Sequence, residues 1–116
     1  YHRALKNVDF IQRYIFPGSF IPSFGAILGS MNRGSDLVLT HAEDFGFHYA
    51  RTLRDWCDRF MVCRQELEQL GYDQAFQRLW HFYFAYCEAG FSERAIGVAH
   101  LVMAKPANKR ANILSV

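Results

Sequence analysis

The sequence contains few cysteines, and their spacing excludes the usual disulfide and zinc arrangements. Cys57, Cys63 and Cys87 are an odd number, include no C-x-x-C pair and follow no recognisable secretory leader. A disulfide framework is therefore not expected, and a reducing cytoplasm is the predicted location. The five histidines and three cysteines also lack zinc-finger spacing, so no metal site is predicted.

Long apolar runs and clusters of one charge are missing as well. No segment approaches the ~18 consecutive apolar residues that a membrane-spanning helix needs. Thirteen basic residues balance eleven acidic ones, the net charge is +2, and no run of lysine or arginine occurs. This charge pattern disfavours a nucleic-acid partner. The eight glycines form neither G-x-G-x-x-G nor G-x-x-x-x-G-K, so the chain offers no phosphate-binding loop and no cofactor-binding residue.

What the sequence does have is a high content of apolar and aromatic residues. Hydrophobic residues make up 51% of the chain and aromatic residues 16%, which indicates a folded protein with a large core or an apolar cleft. Its 116 residues suit a single domain, or part of one, over residues 1–116. The chain begins with Tyr1 rather than methionine, so we expect it to be a fragment of a longer protein.

Turn residues punctuate the first forty positions. Residues 7–16 are predicted to form a short helix that ends before Pro17-Gly18, because proline disfavours helical geometry in the residue before it. Ser23 is a candidate N-cap for a second helix over residues 24–31. Residues 37–40 then form a brief run that is typical of a β-strand.

Two long helices are predicted in the second half of the chain. Apolar residues recur at three- and four-residue steps over residues 47–70, with arginines and aspartates between them on a predicted solvent face. Asp44 is a candidate N-cap and Gly71 a candidate stop for this helix. The other helix is predicted over residues 73–94. Because it is apolar all round, we expect most of its circumference to be buried.

A second strand is predicted over residues 97–105, ended by Pro106. It is apolar on both faces except at His100, which we interpret as a core histidine. Two isolated strands make a poor sheet, and a strand that is apolar on both faces needs neighbouring strands and covering helices. The pattern therefore favours an α/β fold of which this chain is the end.

The apolar faces of the two long helices carry the candidate site residues. Tyr49 and Leu53 lie one turn apart on the first helix, as do Tyr83, Cys87 and Phe91 on the second. If these stripes face each other, they line an aromatic groove that could hold an acyl chain, or they fill a core. Core packing is the default interpretation of a Tyr-Cys-Phe stripe.

Four ordered motifs resemble one known family. They are DFIQRYIFPG at 9–18 followed by IPS at 21–23, HYARTLRDW at 48–56, FAYCEAGF at 84–91 and IGVAHLVMAKP at 96–106. Together they resemble the carboxy-terminal part of the cyclopropane-fatty-acyl-phospholipid synthases, the mycolic acid cyclopropane synthase family. The match covers essentially the whole chain, and several linked motifs are much more specific than any one of them.

The resemblance implies a fold and an activity. The fold would be the carboxy-terminal portion of a doubly wound S-adenosylmethionine-dependent methyltransferase sheet, dominated by two long helices with two terminal strands. The enzyme would transfer a methyl group to a cis double bond of an unsaturated phospholipid acyl chain. Bicarbonate, as general base, would then remove a proton so that a cyclopropane ring closes. The expected location is cytoplasmic and peripheral at the inner membrane face. Whether the enzyme forms a homo-oligomer is left open.

The resemblance also assigns roles to individual residues. Tyr49 matches the tyrosine whose hydroxyl helps to hold bicarbonate, and Cys87 matches a cysteine treated as an active-site residue. Leu53, Tyr83 and Phe91 match positions that line the acyl pocket. The chemistry requires no thiolate nucleophile, so Cys87 is interpreted as a wall residue. The cofactor loop and the rest of the bicarbonate site are expected upstream, and the chain alone is not expected to bind S-adenosylmethionine.

Some features depart from the family or leave alternatives open. The usual Pro-Gly-Gly turn is Pro17-Gly18-Ser19 here, and serine tolerates positive φ less well than glycine. Relatives in the family make methyl or methylene branches or methylate amines, although HYARTL and YCEAGF favour the lipid branch. A non-catalytic acyl-binding module and a purely structural helical protein are the other classes that stay open.

Overall fold

The computed structural model describes residues 8–110, which divide into two compact units. The first contains the residues up to Glu43 together with those from Ala99 onward, and the second is formed by residues 44–98. Helices and a two-stranded antiparallel sheet make up these units, which confirms the predicted α/β class.

The helix predicted over residues 7–16 is, in its described part, a π-helix over Ile11–Ile15. Residue 7 itself lies outside the described residues. The backbone N–H of Phe16 donates to the carbonyl of Ile11 at 2.8 Å, and this five-residue step makes the turn wider than an α-helix. Asp9 and Gln12 cap its start through reciprocal side-chain to backbone hydrogen bonds of 2.9 and 3.1 Å. The turn ends before the proline-glycine pair, as predicted.

The second predicted helix is confirmed as α1, Phe24–Gly34. The Ser23 hydroxyl accepts a hydrogen bond from the backbone N–H of Ala26 at 3.2 Å, which satisfies one of the free donors at the helix start. The helix continues three residues beyond its predicted end, and the N–H of Ser35 then donates to the carbonyl of Met31.

Strands β1 (Val38–Asp44) and β2 (Ala99–Ala104) pair with each other in the sheet. The Thr40 hydroxyl of β1 donates to the carbonyl of Val102 on β2 at 3.1 Å. Compared with the predicted strands, β1 is longer and β2 is shorter. His100 is exposed, so its interpretation as a core histidine is wrong. No residue of β2 is fully buried in the described structure, so the strand offers this side chain no core face.

The single helix predicted over residues 47–70 is wrong, because the chain breaks at Cys63 into α2 (Gly46–Val62) and α3 (Arg64–Gln69). Cys63 has ψ near 10°, which turns the backbone off the helical path. Gln77 of the following helix, only 2% exposed, holds this corner. Its side chain accepts from Arg64 Nε at 2.9 Å and donates to the Arg64 carbonyl at 3.3 Å.

The other long helix is confirmed as α4, Gln74–Ser92. The Asp73 carboxylate caps it by accepting from the N–H of Phe76 at 2.8 Å. Gly71 has φ +92°, a left-handed conformation that suits glycine and ends α3 as predicted. At the start of α2, Asp44 accepts from the N–H of Gly46 at 3.1 Å, although it lies one residue before the N-cap position.

Helices α2 and α4 pack side by side in opposite directions and form the core of the second unit. Partners on α4 run backward as the chain advances along α2: Tyr49 with Phe91, Arg54 with Glu88, and Phe60 with Phe84. Among residues 8–110, the buried apolar residues all belong to these two helices; they are Ala50, Leu53, Phe84, Cys87 and Phe91. The N–H of Phe45 donates to the carbonyl of Val98 at 3.0 Å and so joins the two ends of this unit.

One side of α4 stays open in the described structure. Phe82 is 52% exposed and Tyr86 45% exposed, and their rings stack on each other at 5.9 Å. The expectation that most of the circumference of α4 is buried is therefore wrong for residues 8–110. Apolar character all round a helix indicates burial only where other elements are present to cover each face.

Candidate active site

All five predicted site residues lie on the two packed helices of the second unit. Tyr49 and Leu53 belong to α2, and Tyr83, Cys87 and Phe91 belong to α4. Leu53 is 1% exposed, Cys87 6% and Phe91 9%, whereas the two tyrosines are half-buried. The three apolar side chains are thus packed between the helices, and the two phenol side chains lie partly exposed beside them. We call these five residues the α2–α4 groove, with the three buried side chains as its floor and the two phenols as its rim.

Tyr49 is held by aromatic contacts on two sides. Its ring meets the edge of Phe91 at 5.0 Å between centroids and that of Trp56 at 6.0 Å. Both contacts have the edge-to-face geometry that the quadrupoles of aromatic rings favour. The Tyr49 hydroxyl makes no hydrogen bond to another residue within the described range 8–110. The ring is thus fixed by its aromatic neighbours and not by a hydrogen bond of its hydroxyl to residues 8–110.

Tyr83 is a second phenol whose proton is held firmly. Burial raises the pKa of Tyr83 to about 12, and the neighbouring Cys87 and Tyr49 side chains add to this increase. Its ring packs on Trp80 at 5.3 Å. Because the phenolate is disfavoured, the Tyr83 hydroxyl is neutral across the physiological pH range and can act only as a neutral hydrogen-bonding group.

The cysteines of the second unit differ in environment. Cys87 is buried in the middle of α4, Cys57 is half-buried on α2, and Cys63 is exposed at the helix break. Burial raises the pKa of Cys57, and the nearby carboxylates of Asp58 and Glu88 raise it further. Cys57 therefore stays a thiol at neutral pH and is a poor nucleophile.

An ion pair borders the groove. Arg54 donates through Nε to Glu88 Oε1 at 2.8 Å, and its Nη2 donates to the same oxygen. The hydrogen bond and the charge of Glu88 raise the pKa of Arg54. Arg54 follows Leu53, and Glu88 follows Cys87. This pair thus joins the two helices beside the floor of the groove.

Trp56 lies within the apolar recurrence predicted over residues 47–70, although it is not one of the predicted site residues. Trp56 is 38% exposed and contacts Tyr49, seven residues earlier. Helical side chains lean towards the amino terminus, so a residue two turns later can cover an earlier one. The spacing of Tyr49, Leu53 and Trp56 was the available signal.

A separate cavity of about 170 Å³ lies at the amino-terminal end of α2. Phe91 lines it together with residues from both ends of the unit; these are Asp44, Gly46, Phe47, Arg94, Ala95, Ile96 and Gly97. The Arg94 guanidinium lies 4.6 Å from the Phe47 ring centroid, within cation–π range.

Neither a metal site nor a membrane-spanning helix is found within the described residues. Within residues 8–110, no cluster of histidine, cysteine, aspartate and glutamate side chains could hold a metal ion. In the same part of the chain, every helix is too short or too polar to cross a membrane.

Comparison with known proteins identifies the family. The mycolic acid cyclopropane synthetase family matches residues 1–101, and the chain belongs to this family. The resemblance found in the motifs is thereby confirmed.

Two relatives illustrate the range of the family. The chain is 46% identical over 94 residues to the tuberculostearic acid methyltransferase of Mycobacterium tuberculosis, covering 78% of this chain and 22% of that protein. It is 31% identical over 100 residues to the cyclopropane-fatty-acyl-phospholipid synthase of Escherichia coli, covering 85% of this chain and 25% of that protein. The chain spans about a quarter of the length of the relatives it matches.

Proposed function

We propose that this chain is the carboxy-terminal part of an S-adenosylmethionine-dependent methyltransferase that forms a cyclopropane ring on a cis double bond of unsaturated phospholipid acyl chains. The observation that carries the proposal is the α2–α4 groove, in which packing brings together the five residues that match the family's site positions. The sheet of the whole enzyme is proposed to be doubly wound.

The floor of the groove suits the charge that develops in this reaction. S-adenosylmethionine supplies an electrophilic methyl group; residues 8–110 contain no glycine-rich loop, so we assign none of them to its binding. When a new C–C bond forms at one alkene carbon, the other carbon becomes positively charged. Leu53 and Phe91 surround such a carbon with groups that neither add to it nor bring water to it, and the face of an aromatic ring attracts a cation.

Tyr49 is proposed to hold the base. Loss of a proton from the new methyl group lets the remaining electron pair close the ring, and bicarbonate is the proposed acceptor of that proton. The Tyr49 hydroxyl fits such an anion because its ring is fixed by Phe91 and Trp56 and its hydroxyl is open within the described residues. A hydroxyl that donates to bicarbonate orients it without taking the proton itself.

Cys87 is proposed to act as a wall of the groove. Its burial at 6% exposure in mid-helix suits packing better than nucleophilic attack, which needs a thiolate in an electropositive and accessible place. The Tyr83 hydroxyl beside it, kept neutral by its raised pKa, adds a polar rim that brings no charge close to the alkene.

A methylene branch, which a separate reductant would convert to a methyl branch, is the second candidate product. The relative with 46% identity is named as a methyltransferase of tuberculostearic acid, without mention of a ring. A hydride shift onto the positively charged carbon, followed by proton loss from the methyl group, gives a methylene branch with the same composition as the ring. Product mass alone therefore does not separate these two outcomes.

The test is the lipid product of the full-length protein. Purified enzyme is incubated with S-adenosylmethionine and vesicles of a monounsaturated phospholipid, and the fatty acids are analysed by mass and by proton NMR. We expect a mass gain of one CH₂ and the NMR signals of a cyclopropane ring. Alkene signals at the same mass would indicate a methylene branch, and no change in the lipid would contradict the proposed function.

Membrane association is part of the proposal. The enzyme would meet its lipid from the cytoplasm at the bilayer surface, since the double bond lies within the acyl region. Sedimentation of the full-length protein with the same vesicles measures this association. Normal turnover of vesicle lipid without detectable association would argue against a peripheral enzyme.

A further inference from the structure

The Arg54–Glu88 ion pair is the feature of the second unit that the proposed chemistry leaves unexplained. It connects α2 to α4 through two donors on one carboxylate oxygen. The Arg51–Asp55 pair, at 3.2 Å, lies instead within α2 alone. An exposed ion pair within one helix, such as Arg51–Asp55, contributes little to stability. The Arg54–Glu88 pair differs because it joins two helices, so we look for its role in the geometry of their packing.

The position of Glu88 explains why the pair can control geometry. Its side chain is only 22% exposed, whereas that of Arg54 is 66% exposed. A carboxylate that is mostly covered needs a partner, because leaving it unpaired costs its desolvation. Without Arg54, a rotation of α4 that carries Glu88 towards solvent would relieve this cost.

Such a rotation would move the floor of the groove. Cys87 precedes Glu88 and is separated from it by about 100° around the helix, so the two side chains move together. Phe91 lies one turn from Cys87, and its ring fixes Tyr49 at 5.0 Å. A turn of α4 would therefore expose the Cys87 thiol and withdraw the Phe91 ring from Tyr49.

We propose that Arg54 and Glu88 are positioning residues: their ion pair sets the rotation of α4 against α2 and thereby the shape of the acyl groove. The part of this proposal that concerns acyl selectivity rests on the proposed function. The part that concerns helix rotation does not rest on it, because the rotation can be measured through the labelling rates of the cysteine thiols.

The experiment uses the full-length protein and two thiols of this chain as internal probes. Native protein is alkylated with a small maleimide, and the labelling rates of Cys87 and Cys63 are measured by peptide mass spectrometry. Cys63 is exposed and reports reagent and protein quality, while Cys87 is buried and reports the groove. Acyl selectivity is measured separately, as the ratio of kcat/KM for vesicle phospholipids with the double bond at two different positions.

The variants distinguish the effect of losing the Arg54–Glu88 pair from the effect of losing a charge in general. Arg54→Gln and Glu88→Gln each remove the ion pair, Arg54→Glu combined with Glu88→Arg restores it reversed, and Arg54→Lys keeps one charged contact. Arg51→Gln is the matched control, because it removes an exposed ion pair that does not reach α4.

We expect Arg54→Gln to raise the Cys87 labelling rate about twofold to fivefold relative to Cys63, the range that loss of a partly exposed pair gives to local opening. Glu88→Gln leaves no uncompensated carboxylate and should raise this rate less. The reversed pair and Arg54→Lys should recover most of this change, and Arg51→Gln should show none. The selectivity ratio should follow the same order.

The outcomes distinguish this proposal from the proposed function. Changed Cys87 labelling in a protein whose wild type does not modify lipid would support the positioning role and contradict the lipid methyltransferase. Wild-type lipid turnover with unchanged labelling and selectivity in Arg54→Gln and Glu88→Gln would overturn the positioning role. A reversed pair that behaves no better than the single variants would overturn it too.

Discussion

The most informative perturbation is Tyr49→Phe, because the structure separates the two parts of this side chain. The ring is held by Phe91 and Trp56, and phenylalanine keeps both contacts. The hydroxyl has no hydrogen-bond partner among residues 8–110, so its removal leaves no protein group of the described structure unpaired. Folding should therefore change little.

The expected loss lies in turnover. A hydrogen bond to a charged group contributes about 1.5–3 kcal/mol, which corresponds to about 10-fold to 150-fold in rate or affinity. If Tyr49 orients bicarbonate, the variant should lose at least about tenfold in turnover at low bicarbonate, and added bicarbonate should restore part of it.

The assay measures turnover of the full-length enzyme against bicarbonate concentration for wild type and variant. Tyr86→Phe is the matched control, since Tyr86 is exposed and stacks on Phe82, outside the groove. Wild-type turnover of Tyr49→Phe at low bicarbonate would show that Tyr49 only packs and that its hydroxyl does not orient bicarbonate. So would a loss that bicarbonate does not relieve.

Three further predictions concern the groove. Cys87→Ser should reduce turnover by less than Tyr49→Phe and without rescue by bicarbonate; rescue would show that Cys87 also serves the base. Leu53→Ala should lower the free energy of unfolding by about 2–5 kcal/mol, because the side chain is 1% exposed, and an unchanged melting temperature would contradict this burial. The pKa of Tyr83 is raised from 10.0 to about 12, so folding favours the protonated phenol. The stabilisation that this shift contributes is present below pH 10 and is lost as the pH rises towards 12. The difference in melting temperature between wild type and Tyr83→Phe should therefore shrink or reverse over this range, and a difference independent of pH would refute the shift.

Local chemistry made several elements of the fold predictable. Ser23 and Asp73 each accept from an N–H three residues later, as their residue types and positions indicate. Gly71 adopts the left-handed backbone that ends a helix. These features depend on a few neighbouring residues, so the sequence alone contains the information needed to infer them.

Features that depend on distant partners could not be predicted in the same way. The break at Cys63 follows from Gln77, thirteen residues beyond Arg64, whose amide bonds both the side chain and the carbonyl of Arg64. No breaking residue marks residues 62–64, and the apolar period continues through them. Similarly, the i,i+4 spacing of Arg54 and Asp58 favours a pair within α2, whereas the partner of Arg54 in the structure is Glu88 on the other helix.

The candidate site combines both kinds of information. Periodicity placed Tyr49 with Leu53 and Tyr83 with Cys87 on separate stripes, but only the packing of α2 on α4 brings the stripes together. That packing also leaves the two phenols at the rim and the apolar groups on the floor. If methyl transfer takes place in this groove, the polar groups that residues 8–110 offer near the leaving proton lie at the rim, because the floor side chains Leu53, Cys87 and Phe91 carry no acceptor beyond a buried thiol. The choice between ring and branch would then depend on where the base sits at that rim relative to the new methyl group. A change at Tyr49 should therefore alter the ratio of products as well as the rate, whereas a change on the floor should alter which acyl chains are accepted.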